Sequence, residues 1–289
     1  VSSPACHGQA GFLPPLKIVI EREPPMSKLL IARWATALTL AAALWSAAKA
    51  ASVPTDAQSI LTASDAIRNP AEPFSLTVTL TQYTDGKQTD SNALQAYSRI
   101  DPSSGQFRSL IRFEAPARDV NKLMLKTGND LWFFDPTSKA SIRISPQQRL
   151  LGQASNGDVV TVNFAQGYKA RIENEEDVQD GDRQTRRAYK LALAESVPDM
   201  TYNSVEMWID TTTQRPIKAR FFSDSGKLLK TAFYRHYQEQ LGALRPTEIV
   251  IIDGLNPNLV TVMRYTEFTS RQIPDSWFQH DFLPSFQPE

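Results

Sequence analysis

The chain has 289 residues, 41% of them hydrophobic and 21% charged, a globular composition that excludes an intrinsically disordered chain. Lysine plus arginine (31) equals aspartate plus glutamate (31). With no basic excess to draw it onto a phosphate backbone, the chain is not expected to partner nucleic acid.

The first predicted element is a targeting segment. From Met26, Lys28 and Arg33 form a short basic region, and the residues from Trp34 to Ala48 carry no charge. That run is too short for the roughly 20 residues of a membrane-spanning helix and has the length of a signal-peptide core. Ala48-Lys49-Ala50 supplies a small-x-small cleavage pattern, so residues 26–50 read as a signal peptide, cleaved near Ala50, and the mature chain as starting at Ala51. Residues 1–25, proline-rich and without periodicity, read as an overextended start. Cys6, the only cysteine, falls in that stretch, which leaves the mature chain without a disulfide or a thiolate metal site. A soluble protein exported to the periplasm is expected, with about 26 basic against 29 acidic residues after cleavage.

Thr55 and Asp56 offer N-cap oxygens to a helix whose apolar face is Ile60, Leu61 and Ile67, and Asn69-Pro70 ends it. From Phe74 the period changes to two, with Phe74, Leu76, Val78 and Leu80 alternating with Ser75, Thr77, Thr79 and Thr81. This predicts a half-buried strand. Strands are predicted next near 94–100, 107–113, 123–126, 131–134 and 140–144, then near 168–174, 185–193, 203–210, 216–222, 228–237, 247–252 and 259–268. Turn signals such as Asp85-Gly86, Gly128-Asn129-Asp130 and Asp224-Ser225-Gly226 separate them. Only residues 146–167 lack alternation, and Asp158 to Ala165 reads as a short helix or a lid loop. About a dozen strands with little helix predict a mainly β, strongly curved or closed antiparallel sheet in one domain, residues 51–289.

Catalytic signals are absent. After cleavage only His236 and His280 remain, neither at a metal-ligand spacing, and no nucleophile elbow, phosphate-cradling loop or H-E-x-x-H occurs. The acidic run Glu175-Glu176-Asp177 with Asp180 and Asp182 has Val178 and Gln179 where a calcium loop needs an oxygen ligand and a glycine. It reads as a solvated hairpin. No cofactor, metal or enzymatic activity is expected. What the strands do carry is a large apolar and aromatic surface, either a packed core or a cavity for an apolar ligand.

The stretch FRSLIRFEAP followed by KLMLKTGNDLWFFDP, from Phe107 to Pro136, resembles the LolA-like outer-membrane lipoprotein-sorting proteins. The run VEMWIDTTTQRPIKARFFSDSGKLLK, from Val205 to Lys230, resembles the second half of that family, and VTVMRYTEF closes it. In order and spacing the resemblance covers nearly all of Ser52 to Phe282. It implies an incomplete, strongly curved antiparallel β-barrel with a few short helices as a lid and a concave face that takes up acyl chains. On that basis Phe74, Leu76, Val78, Leu80, Phe107, Ile111, Phe113, Leu123, Leu125, Trp132, Phe134, Trp208 and Phe221 are expected to contact lipid. Arg99 is the nearest positional match to the family's lid-holding arginine, with Arg108 and Arg112 as rivals on the next strand. The implied partners of this monomer are an acylated lipoprotein or other lipid, an inner-membrane exporter as donor and an outer-membrane acceptor. The alternative is a cell-envelope interaction module with a filled core that binds protein through an edge strand.

Overall fold

The computed structural model describes residues 56–198 and 200–287; the expected leader, its cleavage site and Cys6 lie outside them. Helix α1 (Ala57–Arg68) starts where Asp56 accepts the Ser59 amide and ends at Asn69. Proline at position 70 cannot continue it. Thirteen strands of the described residues then form one antiparallel sheet. Its first half is β1 (Phe74–Thr84), β2 (Lys87–Ile100), β3 (Phe107–Ala115), β4 (Leu123–Thr127), β5 (Asp130–Asp135) and β6 (Ala140–Arg143). The β1–β2 turn is Asp85-Gly86, both in the left-handed region at φ 51° and 77°. That conformation suits the twist of a two-residue hairpin.

The alternation-free stretch is a strap. It holds a two-stranded hairpin, β7 (Arg149–Leu151) and β8 (Ala154–Ser155), a 3-10 turn at Asn156–Asp158 and the single-turn helix α2 (Phe164–Gly167). The second half of the sheet follows as β9 (Tyr168–Gln179), β10 (Thr185–Glu195), β11 (Ser204–Asp210), β12 (Pro216–Phe222), β13 (Leu228–Gln240), β14 (Ala243–Asp253) and β15 (Leu259–Ser270). Sheet order is β6-β5-β4-β3-β2-β1-β15-β14-β13-β12-β11-β10-β9. The chain therefore walks out to one edge, crosses to the other at β9, and returns until β15 pairs with β1, Phe74 opposite Ser270. No hydrogen-bonded pairing joins β6 to β9, so the barrel is incomplete.

Side-chain alternation sorts the sheet into two faces. The inner face packs one cluster that runs from Phe74, Leu76, Val78 and Leu80 across Ile249, Ile251 and Met263 to Val205, Met207 and Leu191, with Ile60 and Leu61 of α1 laid into the concavity. On the outer face, Tyr97, Leu110, Leu123, Leu125 and Phe134 are covered by Ile273, Trp277, Phe278 and Leu283. These come from a C-terminal segment with 3-10 turns at Asp275–Phe278 and His280–Ser285. The sequence reading did not anticipate this segment.

Candidate functional site

The strap closes over the concave face and leaves beneath it a cavity of about 120 Å³. Its sheet wall is mainly apolar, with Phe74 and Leu76 of β1, Phe221 of β12, Ile249 and Ile251 of β14 and Met263 of β15. Val159, Val160 and Val162 of the strap and Phe164 of α2 form the lid side.

The strap is fastened by many polar contacts, among them the Gln153 amide donating to Thr261 at 2.7 Å and the Asn163 amide donating to Gln106 at 2.7 Å, and three sets lie around the cavity. The first is an ion pair between Lys230 of β13 and Asp158, both lining the cavity. Lys230 is 3% exposed, and it also donates to the Gln153 carbonyl at 3.3 Å. Asp158 accepts from the Tyr202 hydroxyl at 2.8 Å and the Ser155 amide at 2.6 Å. Burial pulls the Lys230 ammonium below its ordinary range and the Asp158 carboxylate opposes that pull. Burial, then the same carboxylate, pushes the Tyr202 phenol well up. The second set ties the strap to α1. Arg68 pairs with Asp65 and donates to the Val162 carbonyl at 2.9 Å, Asp65 accepts the Ala165 amide at 2.7 Å, and Asn69 donates to the Val162 carbonyl at 3.0 Å. The third is a hydroxyl cluster, in which Ser98 of β2 meets Thr161 at 2.8 Å and Ser109 of β3 at 2.9 Å.

The residues expected to contact lipid divide by face. Phe74, Leu76 and Phe221 line the cavity; Val78, Leu80, Phe107, Ile111 and Phe113 belong to the same inner cluster, beyond its wall. Leu123, Leu125, Trp132 and Phe134 are corrected to the outer face, under the C-terminal segment. The inner residues of those strands are Met124, Leu131 and Phe133, one position out of step. Trp208 is likewise outer, packed with Val178, Ala188 and Ile217, its indole N–H donating to Glu176 at 2.5 Å. Arg99 pairs with Asp275 at 2.6 Å and donates to the Ile273 carbonyl at 3.3 Å. It thus holds the C-terminal segment on the outer face, not the strap on the inner one. Its rivals are engaged locally, Arg108 with Asp101 and Arg112 with Glu114. The sequence reading missed Asp158 and Lys230. Lys230 shares the inner alternation with Ala232 and Tyr234, and a lone cation in an otherwise apolar period-two set was the available signal.

Comparison with known proteins gives consistent results. A family model described as that of an uncharacterized protein matches residues 105–285. The structure is similar to that of a LolA superfamily protein from Nitrosomonas europaea, at 33% identity and a TM-score of 0.71, covering 79% of this chain and 100% of that one. A domain of the outer membrane lipoprotein-sorting type from Vibrio parahaemolyticus shares the fold at 16% identity and a TM-score of 0.65, over 79% of this chain and 98% of that one. So does a DUF1329 family protein from Desulfovibrio piger, at 20% identity and a TM-score of 0.65, over 78% and 97%. No curated protein matches.

Proposed function

We propose that this chain, which belongs to the LolA superfamily, is a periplasmic carrier that shelters acyl chains of a lipoprotein or lipid under the strap and passes them toward the outer membrane. The observation that carries this reading is a largely apolar cavity between a concave sheet and a segment fastened across it by polar contacts. Phe74, Leu76 and Phe221 are its acyl-contact residues. An exporter in the inner membrane would be the donor and an outer-membrane protein the acceptor.

Size fixes how such a carrier works. About 120 Å³ is of the order of a cavity that holds one benzene-sized molecule, so a long chain enters only as the strap moves outward. Burying an acyl CH₂ is worth about 0.8 kcal/mol, so a dozen supply roughly 10 kcal/mol before ordering costs. That gain offsets the loss of strap hydrogen bonds, each worth about 0.5–1.5 kcal/mol net. It also stays below the roughly 18 to 21 kcal/mol at which non-covalent affinity saturates and release stops.

Native mass spectrometry of the protein taken from its own periplasm, with organic extraction, tests the reading. A lipid or acylated protein bound in about stoichiometric amount is the expected result. A clean apo mass that lipid extracts leave unchanged would overturn it and favour an interaction module with a filled core.

A further inference from the structure

Two inward-facing tyrosines are unlike their neighbours. Tyr168, Tyr202 and Tyr237 each end on an acceptor: the Tyr202 carbonyl at 2.8 Å, Asp158 at 2.8 Å and the Pro216 carbonyl at 2.6 Å. Buried tyrosine hydroxyls ordinarily find such a partner. Tyr234, only 5% exposed, and Tyr265 both line the cavity, yet neither hydroxyl bonds to any described residue. Arg68 lines the same cavity, its guanidinium 4.4 Å from the centre of the Phe164 ring and its Nε buried without a partner. Arg68, Tyr234 and Tyr265 thus share the lining of one cavity.

The neighbouring carboxylates are already satisfied. Asp65 spends one oxygen on Arg68 and the other on the Ala165 amide. Asp158 spends its two on Tyr202 and on the Ser155 amide with Lys230. Burial pushes the Tyr234 phenol up to about 12 and the Tyr265 phenol up as well, so both stay neutral hydroxyl donors at any physiological pH. The cavity thus has spare donors and a cation in its lining while its acidic oxygens are filled.

Resting on the carrier reading and deepening it, we propose that Arg68, Tyr234 and Tyr265 form a head-group site inside the cavity, which orients a single-chain amphiphile with an anionic oxygen head. Hydrogen bonds to a charged acceptor are roughly twice as strong as neutral ones, which is what separates such a head from an ester or an amine on the same chain.

The test is titration calorimetry of the folded protein with four probes below their micelle concentrations: myristate, myristyl phosphate, methyl myristate and tetradecylamine. Myristate or myristyl phosphate should bind at least tenfold more tightly than the ester and the amine; which of the two leads separates a free fatty acid from a phospholipid-like source. Tyr234→Phe with Tyr265→Phe, which keeps the ring packing, should bring the anionic probes to within about threefold of the ester and leave the ester unchanged. Equal binding of ester and acid, preference for the amine, or a preference that survives the double substitution overturns the head-group site and leaves the carrier reading standing. Uptake of none of the four overturns both.

Discussion

Lys230 is the residue on which the strap's closure turns, because an ammonium is rarely buried unless paired. Its partner Asp158 comes from the strap and Lys230 from the sheet. Removing one member of a buried pair strands the other, at about 3–5 kcal/mol, whereas replacing both by apolar groups is often nearly neutral. Asp158→Asn should therefore lower stability to urea by roughly 3 kcal/mol, and adding Lys230→Met should recover most of that loss. The double variant, with its latch gone, should also exchange bound lipid faster than the wild type. If Asp158→Asn lies within 1 kcal/mol of wild type, the pair does not hold the strap. The alternation of β13 marked Lys230 as a lone inward cation, but its pairing with Asp158 was not legible in the sequence. Asp158 is one acidic residue in an irregular stretch, and its partner lies 72 positions away, a distance that no local pattern spans.

At the scale of elements, most strands could be read from alternation, and β1 shows why. Its inner residues Phe74, Leu76, Val78 and Leu80 are apolar, the intervening ones are serine and threonine, and the structure places the strand from Phe74 to Thr84 as that pattern implies. Strands β4 and β5 defeat the same logic. Leu123, Met124 and Leu125 are consecutive apolar residues, as are Leu131 to Phe134, because both faces of these strands are covered. A two-sided run carries no face information, and a one-residue slip exchanges inside for outside. The information that would have settled it lies some 150 residues on, in Trp277 and Phe278, which cover the outer face. Substitutions should separate the two faces. Phe278→Ala removes outer-face packing and should cost about 3–5 kcal/mol while the folded fraction takes up acyl probes normally. Leu76→Glu puts a carboxylate into the cavity wall and should abolish uptake in protein that circular dichroism shows to be folded. Loss of uptake in folded Phe278→Ala would mean that the outer cluster, not the cavity, receives the lipid.

For the whole molecule, topology dictates where the strap lies. Strands β6 and β9 are the two outermost strands of the sheet, so the chain between them, residues 144–167, has to run from one edge to the other. Crossing the concave opening lets its valines join the inner cluster. The strap is thus the fold's own connection, tethered to the sheet at both ends by β6 and β9. If uptake requires the strap to move outward, pinning it to the sheet should stop uptake. Ser98 and Thr161 bring their hydroxyls within 2.8 Å, close enough for cysteines there to approach disulfide geometry. The described residues contain no cysteine to compete. The oxidised Ser98→Cys/Thr161→Cys variant should take up myristate at least tenfold more weakly than the wild type, and dithiothreitol should restore it. Retained uptake in the oxidised form, with the cross-link verified by mass, would show that the lipid enters by another route and that the strap is a fixed wall rather than a lid.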